Sequence, residues 1–563
     1  MQTSPGEVFL ASNLMERLAV SNDVNRRTWL KQSLAMGTLA GGAGAAHASR
    51  ETPLLRALYY RSLVPEVFVN SPRPPTYTPH LVIGSGFGGA ITAHRLAEAG
   101  QQVTVLERGF AWPSSPTRQI FGNDTLPDGR TFWFKNKARM ITGLTAHMDS
   151  FGGVMDATEF EHMTVWRGAC VGDGSVIFTG VMIQPEQRYF EDIFKGSVDF
   201  AEMNSTYFPR VRQMLRLSPM PEDIYRSHPF GHSRAWDQQA IKAGYQPTRI
   251  DSLFNWNVIR DELSGRSRKS AIAGLTNHGN SNGAKFDLNQ NYLKWAQASG
   301  KARVFAGQEV QGIGWDGSRY TVDVIQRSVT GATIGRYVLS CDRLYLAAGS
   351  VGSSSLLVKA RAEGSLRNLN EHVGEGWGSN GDAIVVRSFS QPGGIIQGAP
   401  SASKIHDTRT GMPVTFENWY VPGVPVDVGI LGTLGMVYDD TNRGRFVYDH
   451  SKGAVVLDWA ANGNGDAFTA MQSINQRIAH ASGTVPGAWP FVESVNGRNW
   501  TAHPLGGAVI GRATDAHGRV IGHPGLYVMD GALVPGSTGS VNPSLTIAAL
   551  AERNIAHIVA RGG

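Results

Sequence analysis

The sequence predicts an α/β protein of mixed type: a unit of alternating strands and helices that the chain enters more than once, and a second unit built on a mixed or antiparallel sheet with helices. Three observations carry this. A strand, a glycine turn, a helix, a second strand and an acid follow one another within Leu81 to Glu107. Strand-to-turn-to-helix passages return at Arg343 to Arg361 and at Gly525 to Ala560. Between them lie alternating runs, Phe446 to Asp449 and Val455 to Trp459, the pattern of antiparallel strands.

The first of these stretches names its own ligand. Leu81-Val82-Ile83 reads as a buried strand and runs into Gly84-Ser85-Gly86-Phe87-Gly88-Gly89. A helical segment, Ala90 to Ala99, follows and stops at Gly100, and the run Val103 to Leu106 ends on Glu107. Gly84 permits the tight turn, Gly86 lets backbone approach a pyrophosphate, and Gly89 lets the helix pack closely on the strand. The free N–H groups at the helix start attract phosphate charge. Glu107 is placed to accept hydrogen bonds from an adenosine ribose, and a carboxylate there disfavours a 2′-phosphate. The stretch therefore predicts an FAD or NAD site of Rossmann type rather than one for NADP.

Composition bounds the rest. A chain of 563 residues exceeds what one hydrophobic core usually serves. A hydrophobic fraction of 41% and 27 prolines fit a soluble globular enzyme, and 67 glycines point to many tight turns and close approaches to a ligand. A net charge of +6 with no long basic run argues against nucleic-acid binding.

The N-terminal residues read as an address. Asn25-Arg26-Arg27-Thr28-Trp29-Leu30-Lys31 precedes a weakly apolar stretch, Ser33 to Ala46, and Ala46-His47-Ala48 offers small residues for cleavage. This resembles a twin-arginine signal over residues 1–48, which implies the twin-arginine export machinery as a partner and a periplasmic or secreted protein. The two cysteines, Cys170 and Cys341, could pair in an oxidising compartment, but each sits in a segment expected in the core, which favours two separate buried thiols. No Cys/His cluster has metal-ligand spacing.

Taken in order, residues 76–115, 284–378 and 514–563 form the nucleotide-binding unit, and 116–283 with 379–513 form the substrate unit. A second glycine-rich run, Arg167 to Ser175, has no clear strand before it and reads as backbone folded against something flat. Arg343 to Ser350 predicts a strand and turn leading to a helix over Ser353 to Arg361. A final strand ends at Asp530-Gly531 before a terminal helix, Ser544 to Ala560.

From about residue 78 onward the chain resembles the glucose–methanol–choline oxidoreductases, and within them the bacterial cholesterol oxidases that hold FAD non-covalently. The matching stretches are Val82 to Arg108, Trp133 to Asn136, Val165 to Phe190, Leu344 to Ala362, Val373 to Asn380, His503 to Gly507, and Leu526 to Asn554. The resemblance, not the fingerprint, chooses FAD. It implies that Gly84, Gly86, Phe87, Gly88, Gly89 and Glu107 bind the ADP half, that Val310 meets adenine through its backbone, and that Gly172, Gly174 and Ser175 lie along the flavin. Gly349, Asp530 and Gly531 would hold the pyrophosphate, and Asn542-Pro543 would approach the flavin ring.

The same resemblance implies three side chains for chemistry. His503 would take or hold the hydroxyl proton as hydride leaves, since histidine titrates near neutral pH. Asn542 would donate to the reacting oxygen. Glu417 would be the carboxylate that shifts a proton between carbons during steroid isomerisation, its pKa raised in an apolar pocket. Departures from the family pattern cluster by the flavin: Phe178 stands where an asparagine is expected, Cys170, Asp173 and Thr179 replace glycines, and one extra residue lies within Ser537 to Val541.

The expected activity is FAD-dependent oxidation of a 3β-hydroxysteroid or similarly bulky hydrophobic alcohol, with electrons passing to O₂ and transient membrane-surface contact for sterol uptake. The alternatives are a dehydrogenase of another alcohol that uses a quinone or protein acceptor, a non-catalytic periplasmic flavoprotein subunit whose site Phe178 blocks, and a soluble NAD dehydrogenase.

Overall fold

A computed structural model describes residues 53–140, 145–388, 397–422, 429–488 and 499–562. The expected signal segment, 1–48, lies outside the described residues. Among the described residues no helix is long and apolar enough to cross a membrane.

Strand β1 (Tyr77–Ile83) is followed by helix α1 (Phe87–Glu98) and strand β2 (Val103–Leu106), which pairs parallel with β1. Leu81 and Val82 are fully buried in the core that this sheet shares with its helices, so the strand has no wet side there. A small antiparallel pair follows, β3 (Met155–Glu159) and β4 (Met163–Gly168), and then a two-residue strand β5 (Thr248–Arg249). Strand β4 leads directly into the second glycine run, so the expectation that no strand precedes it is corrected. The run Met163 to Trp166 is buried throughout and carries no alternation to mark it as a strand.

The chain then returns to the first sheet. Strand β6 (Ala302–Phe305) pairs parallel with β2, and β7 (Gln308–Trp315), β8 (Tyr320–Arg327) and β9 (Thr333–Leu346) form an antiparallel meander. The long strand β9 serves two partners: its first part pairs antiparallel with β8, and Ser340 to Leu346 pairs parallel with β1. Helix α2 (Gly349–Glu363) starts immediately after it, four residues earlier than the expected Ser353.

The second sheet is antiparallel. Its strands are β10 (Ala383–Ser388), β11 (Ser403–Asp407), β12 (Val414–Trp419) and β13 (Ile430–Val437). The chain continues through the hairpin β14 (Arg445–Asp449) and β15 (Ala454–Asp458), helix α3 (Gly465–Ser482) and strand β16 (Val485–Ala488). The order across the sheet is β16-β10-β13-β12-β11-β5. The hairpin joins no large sheet; Phe446 and Leu457 share the core of the nucleotide sheet and its helices. It was expected among the strands of the substrate unit, and its alternation is that of a ribbon lying on α2 rather than of a sheet member.

Strand β12 shows how this sheet faces two ways. Val414 and Phe416 join Met471, Ile474 and Ile478 of α3 in one core, while Trp419 belongs to the other, with Trp166 and Leu434. Alternation along the strand puts Thr415, Glu417 and Trp419 on one face. Strand β17 (Asn499–Thr501) pairs with β4, and β18 (Leu526–Val528) pairs with β9 before the last helix, α4 (Ser544–Ala560). Helices α1 and α4 and the helix Tyr292–Ala298 are tied by one buried carboxylate. Glu552 accepts from Arg95 Nε and Nη2, each at 2.8 Å, and from Tyr292 Oη at 2.7 Å. Cys170 and Cys341 are both buried and unpaired.

Candidate active site

A cavity of about 600 Å³ runs between the two sheets. It is lined by Gln308 to Gln311 of β7, by Gly84, Gly86, Gly88, Gly349 and Asp530, and by His503, Asn542 and Pro543. The starts of α1, α2 and α4 all contribute to its wall, and none of the three has an acid in its first turn. Three helix N-termini turned on one channel make an electropositive lining suited to an anionic ligand.

The glycine turn is built by close approach. Gly84 has φ +98°, and a Cβ there would lie 2.2 Å from Ala347 O. A Cβ on Gly88 would lie 2.0 Å from Met529 O, and one on Gly89 2.0 Å from Gly84 O. The last of these is helix packed on strand with no room for a side chain, so Gly89 acts behind the cavity wall and not on it. Glu107 lines the cavity and also holds the turn: Oε2 accepts from Ser85 N at 3.1 Å and Ser85 Oγ at 2.7 Å, and Oε1 accepts from Gly109 N at 2.9 Å. Burial raises its pKa. Val310 and Phe87 line the cavity as well. Asp530 accepts from Gly349 N at 2.8 Å and Ser353 Oγ at 2.6 Å, which shapes the turn into α2, and burial lifts its pKa to about 6.

The second glycine run wraps the same cavity. Gly174, Ile177, Phe178 and Thr179 are on its wall. Gly172 and Ser175, expected along the flavin, are one layer back. Gly172 N donates to Ser85 Oγ at 3.1 Å, and Ser175 Oγ donates to Gly172 O at 2.6 Å. These bonds pin the run to the fingerprint turn, a bracing role that the motif could not reveal. A buried lysine that went unnoticed in the sequence completes the brace: Lys285 Nζ donates to Val176 O at 2.7 Å, to Thr276 O at 3.1 Å and to Phe178 O. Phe178 packs edge-on against Phe87, with ring centres 5.8 Å apart. Arg108 and Arg167, also on the wall, both bond Asp156, at 2.9 and 3.0 Å. Burial works against that carboxylate's charge, and the two guanidiniums still hold its pKa at about 2.

The polar end is organised around His503. Its Nδ1 lies 2.7 Å from Asp382 Oδ1. Asp382 Oδ2 accepts from Thr501 Oγ1 at 2.9 Å and from Ala502 N at 3.0 Å. An aspartate with both oxygens so engaged is an acceptor, so Nδ1 of the imidazole carries hydrogen and Nε2 is the free position. Burial opposes protonation of His503, but the adjacent Asp382 outweighs it and raises the histidine pKa. Asn542 Nδ2 donates to Glu417 Oε1 at 3.1 Å. Among the described residues Asn542 Oδ1 and Glu417 Oε2 have no partner. Glu417 is fully buried behind Asn542 and does not itself line the cavity. Burial pushes its pKa up to about 7. Asp382 was not foreseen; it lies 121 residues from His503 in a stretch, Ser379 to Asp382, with no motif pointing to it.

These residues fit FAD on the structure's own terms. The channel has glycine-lined backbone that a pyrophosphate could approach, a carboxylate after the second strand, three helix starts, and a titratable pair on its wall.

Comparison with known proteins gives matches by family model, by sequence and by fold. Residues 448–551 match the GMC oxidoreductase family, and residues 82–112 match an NAD(P)-binding Rossmann-like domain. A cholesterol oxidase of Acinetobacter baumannii is 25% identical over 553 residues, covering 86% of this chain and 94% of that one. A cholesterol oxidase of Mycobacterium tuberculosis is 26% identical, covering 84% and 89%. Paromamine 6′-oxidase of Streptomyces fradiae is 23% identical, covering 84% and 90%. In fold, the crystal structure of a pyridoxine 4-oxidase (source given as Mesorbium loti) superposes with a TM-score of 0.58 at 15% identity, covering 86% of this chain and 99% of that one.

Proposed function

We propose, on the premise that the chain belongs to the glucose–methanol–choline oxidoreductases and works with FAD, that it oxidises a bulky hydrophobic secondary alcohol, a 3β-hydroxysteroid, and delivers the electrons to O₂. The observation that carries the reading is the Asp382–His503 pair opening on the same cavity as Asn542. FAD, when bound, supplies the acceptor for the carbinol hydride. His503 Nε2 takes the hydroxyl proton, and the raised basicity conferred by Asp382 lets the imidazole hold it. The resulting positive charge sits beside a developing alkoxide and stabilises it. Asn542 is positioned by Glu417 and keeps the hydroxyl oriented without titrating. Overall, alcohol and O₂ become ketone and hydrogen peroxide.

The apolar wall supports a large hydrophobic body: Met155, Ile177, Trp419, Leu434 and Trp500 all line the cavity. With a Δ5-steroid, proton transfer between carbons would require the Glu417 carboxyl, whose pKa of about 7 poises it near neutrality, to turn past Asn542 into the cavity. Export by the twin-arginine route belongs to the same proposal, supported by Arg26-Arg27 and the stretch Ser33 to Ala46.

The test is an anaerobic screen of alcohols on the purified yellow protein, read as loss of flavin absorbance, followed by peroxide measurement in air. Bleaching by 3β-hydroxysteroids with stoichiometric peroxide is the expected result. Bleaching without peroxide would replace O₂ by another acceptor, and a pigment that no alcohol reduces would end the proposal.

A further inference from the structure

Asp173 is an acid in a place suited to glycine. Its φ of +44° and ψ of −129° are open to glycine and strain any residue that carries a Cβ. The strain secures nothing within the protein. The side chain does not cap the short helix Gly174–Ile177 that follows it, and among the described residues no side chain donates to its carboxylate. Arg108 and Arg167 favour its charge from a distance, since both guanidiniums are engaged by Asp156.

Room is kept for this carboxylate on the cavity wall. A Cβ on Gly86 would lie 2.8 Å from Asp173 Oδ2, and one on Gly168 would lie 2.2 Å from Oδ1. The group therefore stands between the fingerprint turn at the start of α1 and the end of β4, and it lines the cavity. Cys170, Val171, Gly172 and Ser175 around it are buried while Asp173 is half-buried, so the surface it keeps faces the cavity. By contrast Glu107, Asp382 and Asp530 on the same wall have their oxygens engaged by protein donors. A strained residue at a cavity wall, with no partner in the protein, points to a partner in the ligand.

The chemistry narrows that partner. An ionised carboxylate accepts hydrogen bonds and donates none, so it repels a phosphate and suits a hydroxyl. Gly86, which the carboxylate touches, belongs to the turn that a pyrophosphate approaches. Gly174, which the family resemblance places along the flavin, follows Asp173 directly. The part of FAD between pyrophosphate and flavin ring is the ribityl chain, a run of hydroxyl groups.

We infer that Asp173 is a cofactor-binding residue whose carboxylate accepts a hydrogen bond from a ribityl hydroxyl of FAD. The inference rests on FAD as the cofactor and is independent of which alcohol is oxidised. Burial works against the charge of Asp173, and a hydroxyl donor offsets that penalty where the protein offers none.

The test uses the purified holoprotein as wild type, Asp173→Gly and Asp173→Asn. FAD affinity is read from the fluorescence of released flavin at equilibrium on dilution. The measurement is repeated with FAD analogues that each lack one ribityl hydroxyl, exchanged into the same proteins, and melting in excess FAD reports the fold. Glycine relieves the strain, so an Asp173 with only a structural role requires Asp173→Gly to bind FAD as tightly as wild type or more so. The expected result is the opposite: FAD binding weakens about tenfold or more in Asp173→Gly, and by a smaller factor in Asp173→Asn, which keeps an acceptor oxygen. One analogue should bind wild type about tenfold more weakly than FAD, yet bind Asp173→Gly as well as FAD does. Unchanged or tighter FAD binding in Asp173→Gly overturns the inference, and so does a weakening that leaves every analogue's deficit intact. If Asp173→Gly fails to melt cooperatively, the same comparison in Asp173→Asn decides. None of these readouts involves an alcohol, so failure here leaves alcohol oxidation standing, and a flavin that no alcohol reduces leaves the role of Asp173 standing.

Discussion

His503 Nδ1 and Asp382 Oδ1 lie 2.7 Å apart, although 121 residues separate them in the chain. The pair joins the loop after β17 to the residue just before β10, so the small sheet of β3, β4 and β17 meets the antiparallel sheet at the imidazole. Because Asp382 accepts from Nδ1–H, the tautomer and the ring plane are both set, and Nε2 is left free.

Asp382→Asn removes the charge and leaves the ring free to turn. We expect kcat to fall about 10- to 100-fold at its pH plateau, part of what a positioned general base contributes. The pH profile supplies the second readout. His503 must be neutral to take a proton, so kcat/KM rises through its pKa, which Asp382 holds above the ordinary value. Without the carboxylate the opposing effect of burial prevails, and the acid limb moves to lower pH. A drop in rate with an unmoved limb would make Asp382 structural only.

His503→Ala is expected to abolish alcohol oxidation, by at least about 100-fold, while FAD stays bound, because no fingerprint contact involves the imidazole. Flavin content by absorbance and anaerobic bleaching by substrate separate the two effects. Wild-type bleaching rates would remove His503 from the mechanism.

Glu417→Gln tests a buried carboxyl. Its folded pKa of about 7 stands above the ordinary 4.5, so the folded state holds the proton more tightly than the unfolded chain does. The sign follows: between about pH 4.5 and 7 stability falls as pH rises, by an order of 3 kcal/mol in all. The glutamine variant is spared this loss. Its melting temperature should match or trail the wild type at pH 5 and exceed it at pH 8, and a difference independent of pH would contradict the raised pKa. With a Δ5-steroid the variant should still oxidise and release the unconjugated ketone.

Gly88→Ala places a methyl where 2.0 Å separates it from Met529 O, a backbone atom that cannot step aside. Destabilisation of about 1–3 kcal/mol or more is expected, with loss of FAD on gel filtration. Gly364→Ala is the control for a glycine at the end of a helix, away from the cavity: its φ of +73° strains alanine, but nothing lies within 4 Å, so flavin retention should survive. Equal flavin loss in both would argue that backbone conformation, not space, governs the site.

Much of the nucleotide half was legible in the chain. Glycines flanked by a strand, a helix and an acid are a local pattern, because a tight turn and the start of a helix are each built within a few residues. The terminal helix, Ser544 to Ala560, was likewise readable from its own periodicity. His503 and Asn542 were named through family resemblance, since each sits in a short motif. Strand β4 was hidden by uniform burial, and the hairpin β14–β15 gave no sign of which core it would join.

By itself, then, the sequence determined the dinucleotide turn and its acid, both of which depend on neighbours along the chain. Only the tertiary structure decided that Asp382 orients His503, that Glu417 stands behind Asn542 rather than in the cavity, and that Lys285 and Ser85 brace the second glycine run. Those relationships depend on side chains from different sheets being buried together, where each polar atom must find a partner that no local pattern can nominate.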